Sequence, residues 1–365
     1  MILATRCSSS LSVSLVVLCC AGATATADSS VVAQRIAPVV EVAAREGFAG
    51  CVLVRDGKVI ALERAVGAVD RDGQVPATID TVFGVASVSK QFAAVAILQL
   101  EEAERLKLND PITRFIPDAP EDKRAITLHH LLTHTAGLGE DYAADEKSDR
   151  NEAIRAILAV PLESAVGERF GYSNDGYTLL AAIVEIVSGV DYDKYLHDRI
   201  FEPAGMARTC VWRELADRKP PDVADLLRDI SRVGDAINWG FRGPSGVHTT
   251  IHDLDRYWSA LHSGKLISGK NLDRMFTPYS KTRIGPYGYG WFVDSRDASE
   301  RRWMTRGNED FGPNGMIIVH PDRSLVIIVL SHRFLTSGDR AARSDVPWSR
   351  RLSEEIEKAL EGDER

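Results

Sequence analysis

Strand-like segments at both ends of the chain enclose a long helical middle, and this arrangement limits the fold more than any other feature of the sequence. Near the start, a helix at Val31–Arg45 precedes strands at Ala49–Arg55 and Val59–Ala65. From Ser87 to Val190, apolar residues recur at helical spacing between Pro and Gly breaks. This arrangement suggests that strands after the middle region share a sheet with those before it.

The second set of strands lies in the last quarter of the chain. These strands are predicted at Tyr287–Val293, Arg301–Arg306, Gly315–Val319 and Leu325–Leu330, before a closing helix at Val346–Leu360. We expect an α+β fold with one antiparallel sheet, flanked by the terminal helices and carrying an inserted, mainly helical region. The sheet subdomain would comprise 28–84 and 245–365, and the helical subdomain 85–244, with the functional site in the cleft between them.

Residues 1–27 are predicted to be a signal peptide. Arg6 lies in the basic end, Leu11–Cys20 is apolar, and Ala25-Thr26-Ala27 offers a cleavage site with small residues. The apolar core is about ten residues long, whereas a membrane-spanning helix needs roughly 20. We therefore expect a periplasmic or secreted protein, cleaved near Ala27, with no stable membrane anchor.

Cysteine content and charge limit the redox chemistry and the partners. Cleavage would leave Cys51 and Cys210, which could form one disulfide or remain buried thiols. The formal net charge is −8, which gives no support for a nucleic-acid or anionic-membrane partner. We expect a small-molecule or peptide substrate and no cofactor, and the sequence does not indicate an oligomeric state.

Ser87-Val88-Ser89-Lys90 opens an apolar helix, and Lys90 is unusual there. If Ser87 were only an N-cap, an acidic side chain three residues later would be favoured, and a cation is disfavoured by about 0.3–1 kcal/mol. Burial also disfavours the charged form of a lysine. Residues three apart share a helix face, so the Lys90 amine can accept the proton of the Ser87 hydroxyl. The pair is a candidate nucleophile and base.

Three stretches together resemble a known family. They are Phe83-Gly84-Val85-Ala86-Ser87-Val88-Ser89-Lys90-Gln91-Phe92 with Leu108-Asn109-Asp110-Pro111-Ile112 after it, the segment Ile126–Leu138 with the sequence ITLHHLLTHTAGL, and Phe170-Gly171-Tyr172-Ser173-Asn174. They are similar to the serine β-lactamase and penicillin-binding protein superfamily, within its class C β-lactamase, D-alanyl-D-alanine carboxypeptidase and esterase branch. The resemblance covers nearly all of 28–365, which would form one β-lactamase-related catalytic domain.

The resemblance implies roles for two further residues. Tyr172 would share proton transfer with Lys90, and Asn174 would orient Lys90 and the substrate amide. Each residue also has a simpler interpretation, because Asn174 could N-cap the helix that follows and Tyr172 could be a core aromatic residue.

His130 and His134 stand four residues apart, as two metal ligands on one helix face would. We expect no metal site there, since no Glu follows His130 in the zinc-protease pattern and Gly137 ends the helix at once. The resemblance instead implies a structural corner beneath the site.

The third element of the family, a Lys or His followed by any residue and Gly, is altered. Counting back from Pro321 places it at Arg306-Gly307-Asn308, and a shift by one residue places it at Thr305-Arg306-Gly307. The second oxyanion donor, beside the Ser87 amide, would be the Glu309 amide in the first register and the Asn308 amide in the second. Arg306 could bind a substrate carboxylate or be a solvated charge.

Together these patterns predict an exported serine hydrolase that forms an acyl-enzyme at Ser87. Its substrate would be an ester, a D-amino-acid peptide or a β-lactam-type amide. The alternative is a non-catalytic, penicillin-binding-like protein that binds a cell-wall ligand.

Overall fold

The computed structural model describes residues 27–70, 72–140, 142–215, 222–224, 238–294, 300–308, 312–332 and 346–361. Its strands are β1 Gly50–Asp56, β2 Val59–Val66, β3 Phe83–Gly84, β4 Cys210–Val211, β5 Val247–Thr249, β6 Ser280–Thr282, β7 Gly285–Tyr287, β8 Phe292–Asp294, β9 Arg302–Asn308, β10 Asn314–His320 and β11 Leu325–Ser331. Its helices are α1 Ala27–Arg45, α2 Lys90–Glu102, α3 Leu128–Leu132, α4 Arg150–Ala159, α5 Asn174–Ser188, α6 Tyr192–Leu196, α7 Glu202–Ala204, α8 Ile251–His262, α9 Gly269–Met275 and α10 Trp348–Glu361. Except for Ala27, the predicted signal peptide lies outside the described residues.

An eight-stranded antiparallel sheet joins the two ends of the chain. Its strand order is β2-β1-β11-β10-β9-β8-β7-β6, and β1 pairs with β11 in the register that sets Gly50 opposite Ser331. The expected α+β fold with one sheet built from distant segments is confirmed. A smaller sheet, in the order β3-β5-β4, lies next to the start of α2.

The central strands are covered on both faces, which explains their nearly continuous apolar sequences. On one face, Val52 and Val329 pack with Ile36 of α1 and Leu352 of α10. Residues at alternate positions, such as Leu330, point to the opposite face and join the larger core beneath the helical region. Because neither face meets water, β11 has the sequence LVIIVLS without polar alternation.

The single strand predicted at Tyr287–Val293 is wrong. The structure has a hairpin there, in which β7 ends at Tyr287, β8 begins at Phe292, and the Gly288 amide donates to the Trp291 carbonyl at 2.8 Å. Gly290 has a φ of +78°, a conformation that ends a strand and favours glycine. The apolar sequence continues through the turn because Tyr289 and Trp291 are buried there. The sequence pattern therefore gave no sign of the turn between β7 and β8.

Two adjacent helices begin at candidate site residues, α2 at Lys90 and α5 at Asn174. In α2 the residues from Lys90 to Leu98 are all buried, and Phe92 packs edge-to-face on Phe201 with ring centroids 5.4 Å apart. Helix α5 packs against α2, and this contact brings the first turns of the two helices together. Within the described part of the chain, no helix is both long and apolar enough to cross a membrane.

Cys51 and Cys210 are buried and form no disulfide with each other. Burial, with a smaller effect of Asp80, raises the pKa of Cys51 to about 12. Because the thiolate is the reactive form, Cys51 acts as a core residue.

Candidate active site

Ser87 lies on a short 3₁₀ turn, Ala86–Ser89, between β3 and α2. The N-cap position of α2 belongs to Ser89, so the interpretation of Ser87 as a simple cap is wrong. The residue before the nucleophile, Ala86, has a φ of +48°, and a non-glycine residue in this region carries strain of roughly 1–3 kcal/mol. The turn leaves the Ser87 side chain partly exposed at the floor of a cleft.

Lys90 is only 1% exposed, and three oxygen atoms surround its amine. Nζ lies 2.9 Å from Ser87 Oγ, 2.8 Å from Asn174 Oδ1 and 3.1 Å from the carbonyl oxygen of Pro244. A neutral amine has two N–H donors and one lone pair. In this neutral form, which can accept a proton, the two N–H groups of Lys90 would donate to the carbonyl oxygens of Asn174 and Pro244, and the lone pair would face the Ser87 hydroxyl.

Asn174 is the first residue of α5, and its neighbour Ser173 caps that helix. Ser173 Oγ accepts the Gly176 N–H at 3.1 Å, so the interpretation of Asn174 as the cap is wrong. Asn174 Nδ2 donates to the Glu140 carbonyl at 3.1 Å, and this bond turns Oδ1 towards Lys90. The side-chain amide of Asn174 therefore orients the Lys90 amine through its Oδ1 atom.

Tyr172 lies beside the Lys90 amine and is not a core residue. Its ring centroid is 4.7 Å from Lys90 Nζ, and the half-buried side chain lines the same cleft as Ser87. A phenol next to a lysine can relay a proton between the amine and a bound substrate.

The two histidines of the ITLHHLLTHTAGL segment do not share a helix face. Helix α3 ends at Leu132, and each histidine uses its Nδ1 atom to accept a backbone N–H: His130 from Thr127 at 3.2 Å and His134 from Ser173 at 3.0 Å. Burial, and then the charge of Lys90, lowers the pKa of His134 well below its usual value. His134 therefore stays neutral beneath the site.

Gly307 is the point at which strand β9 contacts the nucleophile turn. A Cβ atom at this position would lie 2.3 Å from the Ser87 amide nitrogen and 2.4 Å from the Val85 carbonyl oxygen, so only glycine fits. This contact favours the register Thr305-Arg306-Gly307, with the Asn308 amide next along the strand. Thr305, at 3% exposure, occupies the position expected to hold a cation, and Glu309 lies outside the described residues.

Gly290 and Pro244 also position the site, and sequence reasoning missed both. A Cβ on Gly290 would lie 2.9 Å from the Gln91 Cα atom, so the β7–β8 hairpin can approach the start of α2 only with glycine there. The Gly- and Tyr-rich run at 285–290 was a signal for this contact. Pro244 acts through its backbone carbonyl, which no side-chain pattern reveals.

Arg306 points into the cleft from β9. Burial, and then the nearby charge of Arg350, lowers the pKa of its guanidinium. In the part of the chain that the structure describes, no carboxylate lies within ion-pair distance of it, and its Cζ atom lies 5.9 Å from the centroid of the Phe292 ring. The cleft therefore contains a partly desolvated cation with no carboxylate at ion-pair distance among the described residues.

The cleft encloses about 860 Å³ above Ser87. Its charged lining residues, among those described, are Arg169, Lys281, Arg283 and Arg306 against the single acid Glu140. The formal net charge of the whole chain is −8, so the lining has the opposite sign to the rest of the protein. Such a cleft attracts anionic ligands.

Comparisons with known proteins identify the family of the chain. Residues 32–349 match the model of the family described as Beta-lactamase. The chain is 30% identical over 278 residues to the putative penicillin-binding protein PbpX of Bacillus subtilis, covering 75% of this chain and 70% of that one. It is 28% identical over 312 residues to penicillin-binding protein 4* of the same organism, covering 78% and 68%.

Solved structures share the fold. A penicillin-binding protein from Bacillus halodurans superposes with a TM-score of 0.73 at 25% identity, covering 87% of this chain and 99% of that one. The D-amino acid amidase of Ochrobactrum anthropi has the same TM-score at 20% identity, covering 92% and 99%, and this likeness concerns the fold alone. The family match spans most of the chain and includes every residue placed around Ser87, and this protein belongs to the Beta-lactamase family.

Proposed function

We propose that this protein is a serine hydrolase that forms an acyl-enzyme at Ser87. The observation that carries the proposal is the position of Lys90 Nζ, 2.9 Å from Ser87 Oγ and held by two carbonyl oxygens. This arrangement supplies a nucleophile together with an oriented base.

Acylation begins when the Ser87 oxygen attacks a substrate carbonyl carbon and its proton passes to Lys90. The carbonyl oxygen becomes an oxyanion, which the backbone amides of Ser87 and Asn308 receive. Loss of one such donor typically costs 10²–10³ in turnover. Gly307 permits this geometry because the strand can lie against the nucleophile turn only without a side chain there.

The leaving group departs as the bond from the carbonyl carbon breaks, and Tyr172 supplies the proton that it needs. The proton held by Lys90 then replenishes Tyr172. In the second half of the reaction, water attacks the acyl carbon, gives its proton to the same pair, and releases the acid while Ser87 regains its hydrogen. Positioned acid and base groups contribute roughly 10²–10⁴ each in rate.

The substrate class that fits the cleft is an ester or peptide with a carboxylate close to the bond that is broken. Arg306 supports this proposal because it lines the cleft and has no carboxylate at ion-pair distance among the described residues. Thr305 occupies the position of the Lys or His in the family's third element, and this change disfavours efficient β-lactam turnover. Arg306 can bind a carboxylate through two parallel hydrogen bonds.

A substrate panel tests this assignment. It comprises a p-nitrophenyl ester, a chromogenic cephalosporin, and a D-alanyl-D-alanine peptide with either a free or an amidated C-terminus. We expect the peptide with a free C-terminus to be hydrolysed at least about tenfold faster than the amidated one, since a charge-assisted hydrogen bond contributes roughly 1.5–3 kcal/mol. The Arg306→Gln variant should lose this preference. Equal rates of hydrolysis for the two peptides would contradict the proposal that the cleft recognises a substrate carboxylate. Arg301→Gln is the matched control, because Arg301 precedes the same strand and pairs with Asp322 at the surface.

We also propose that the protein is exported and cleaved near Ala27. The basic end, the short apolar core and the small residues before position 28 support this assignment. N-terminal sequencing of the protein from a secreting host tests it. A mature chain that begins near Asp28 is expected, and an intact Met1 in the cytoplasmic fraction would contradict it.

A further inference from the structure

The segment that carries Tyr172 is held on both sides by one residue, His134. The His134 carbonyl oxygen accepts the Gly171 N–H at 2.8 Å, and its ring atom Nδ1 accepts the Ser173 N–H at 3.0 Å. These two bonds flank Tyr172 in the sequence. The ring centroids of His134 and Tyr172 are 4.4 Å apart, with the planes inclined by 32°, so the side chain is supported as well.

The backbone of His134 has an unusual conformation. Its φ is +56°, in the left-handed region, which histidine enters more readily than most residues but still at a cost. Gly137, three residues later, also has a positive φ of +78° and completes the corner. A conformation of this kind persists only where surrounding contacts impose it, and the contacts of His134 include both hydrogen bonds to the Tyr172 segment.

The ring of His134 is suited to hold a backbone amide and unsuited to carry a charge. It is 1% exposed and lies among the rings of Phe170, Tyr172, Tyr177 and Tyr287, all with centroids within 5.6 Å. Because Nδ1 accepts the Ser173 N–H, the proton of the neutral ring is on Nε2.

We propose that His134 is the positioning residue for Tyr172, holding the 171–173 backbone and the phenol ring in the place where Tyr172 exchanges protons with Lys90. This inference rests on the proposed serine hydrolase function. His134 touches neither the substrate nor Ser87 in this scheme, and its effect on catalysis passes through Tyr172.

The test compares four proteins: the wild type, His134→Phe, Tyr172→Phe and the double variant. Phenylalanine keeps a ring beside Tyr172 but removes the acceptor for the Ser173 N–H. The readout is the rate at which a fluorophosphonate labels Ser87, a step in which the Ser87 oxygen binds phosphorus, fluoride leaves and the serine proton is taken up. We expect His134→Phe to slow labelling by about tenfold in the wild type and by less than about twofold in the Tyr172→Phe background, because residues that act through one another are not additive.

A general packing defect would slow labelling by the same factor in both backgrounds, and that result would overturn the proposal. His134→Asn guards against misfolding, because asparagine tolerates a positive φ and places an oxygen where Nδ1 lies. The His134→Asn variant should be labelled at a rate within about threefold of that of the wild type, since it restores the acceptor for the Ser173 N–H. The matched control is His130→Phe, whose Nδ1 bonds the Thr127 amide away from Lys90 and whose loss should leave the labelling rate unchanged.

Hydrogen exchange provides a readout that does not depend on activity. The amides of the 170–175 segment should exchange faster in His134→Phe than in the wild type and in His134→Asn. Equal exchange in all three proteins would overturn the proposed clamp. If the wild type is not labelled at all, the proposed hydrolase function fails, and the exchange comparison still decides whether His134 holds the segment.

Discussion

Asn174 and Pro244 determine which way the Lys90 amine points, and the chemistry at Ser87 depends on that direction. Both neighbours present carbonyl oxygens to Nζ, at 2.8 and 3.1 Å. Neither residue is charged, and neither position is marked by the helical pattern of apolar residues. At this scale the site consists of a reactive pair and the neutral oxygens that orient it.

Asn174→Asp tests the need for a neutral acceptor. The shape is conserved, but a carboxylate beside Lys90 stabilises its charged form and so removes the base. We expect acylation at neutral pH to fall by roughly 10²–10⁴, with part of the rate recovered as the pH rises. Burst kinetics with a p-nitrophenyl ester over a pH series measure this. Asn174→Ala should be slow at every pH, so recovery of both variants, or of neither, would contradict the role assigned to Asn174.

The Ser87–Lys90 spacing and the Phe170–Asn174 segment were readable from the sequence because a helix turn or a short motif fixes each of them. Pro244 and Gly290 were not, since they act through a backbone carbonyl and through the absence of a side chain. The choice between the two registers at Arg306 also required coordinates. A one-residue shift along a strand changes little in the sequence pattern but exchanges the residues on its two faces.

At the scale of elements, the loop at 238–246 places Pro244, and a buried ion-pair cluster fixes that loop. Arg242 is buried and lies 2.6 Å from Asp193 and 3.0 Å from Asp191. The next residue, Gly243, has a φ of +96°, and a Cβ there would lie 2.2 Å from the Tyr177 carbonyl oxygen. The loop therefore rests against α5 and α6 at two consecutive residues.

Arg242→Met should destabilise the protein by about 3–5 kcal/mol, because it removes the cation that pairs with the buried carboxylate of Asp193. The free energy of unfolding, from urea titration, measures this effect. Lys194→Met is the matched control on α6, since it removes an exposed pair with Asp198 that contributes at most about 1 kcal/mol. Equal losses in the two variants would show that the loop is not anchored through Arg242.

Helix α10 is attached to the sheet through Glu357, and this contact makes stability depend on pH. Burial alone would raise the pKa of Glu357, but hydrogen bonds from Arg302 of β9 and His320 of β10 outweigh burial and lower it. A carboxyl whose pKa is lowered on folding stabilises the native state above its unfolded value of 4.5 and loses this contribution as the pH falls through the folded value. Glu357→Gln should therefore have a lower free energy of unfolding than the wild type at neutral pH. This difference between the two proteins, measured by urea titration, should become smaller below pH 4.5. A difference that does not change with pH would contradict this assignment.

On the scale of the whole molecule, an acidic protein presents a cationic cleft. The lining contains four described cations and one acid, whereas the chain has 52 Asp and Glu residues against 44 Lys and Arg. The amino-acid composition gives the negative net charge of the chain but does not show that the cleft is positively charged. The overall architecture was predictable because strands at both chain ends with helices between them favour one shared sheet. The hairpin at Gly290 was not predictable, since its apolar run continues through the turn.

The local charge predicts a salt effect on substrate capture. Added NaCl should lower kcat/KM for a substrate with a carboxylate and leave that for a neutral ester almost unchanged, because the Debye length falls to about 10 Å at 0.1 M. Replacement of Lys281 and Arg283 by Gln should reduce this dependence. The same replacement of the exposed pair Lys58 and Arg64, at the opposite edge of the sheet, should not. Identical salt dependence for the charged and the neutral substrate would contradict electrostatic capture.

The intact mass of the purified protein after treatment with a fluorophosphonate or a labelled penicillin tests the central claim most directly. Wild type should gain the mass of one adduct, and Ser87→Ala should gain none. Ser89→Ala, on the same turn, should be labelled like the wild type, since the Ser89 hydroxyl accepts the Val247 amide at 3.2 Å and faces the core. Labelling of Ser87→Ala to the same extent as the wild type, or a folded wild type that neither reagent modifies, would contradict the assignment of Ser87 as the nucleophile.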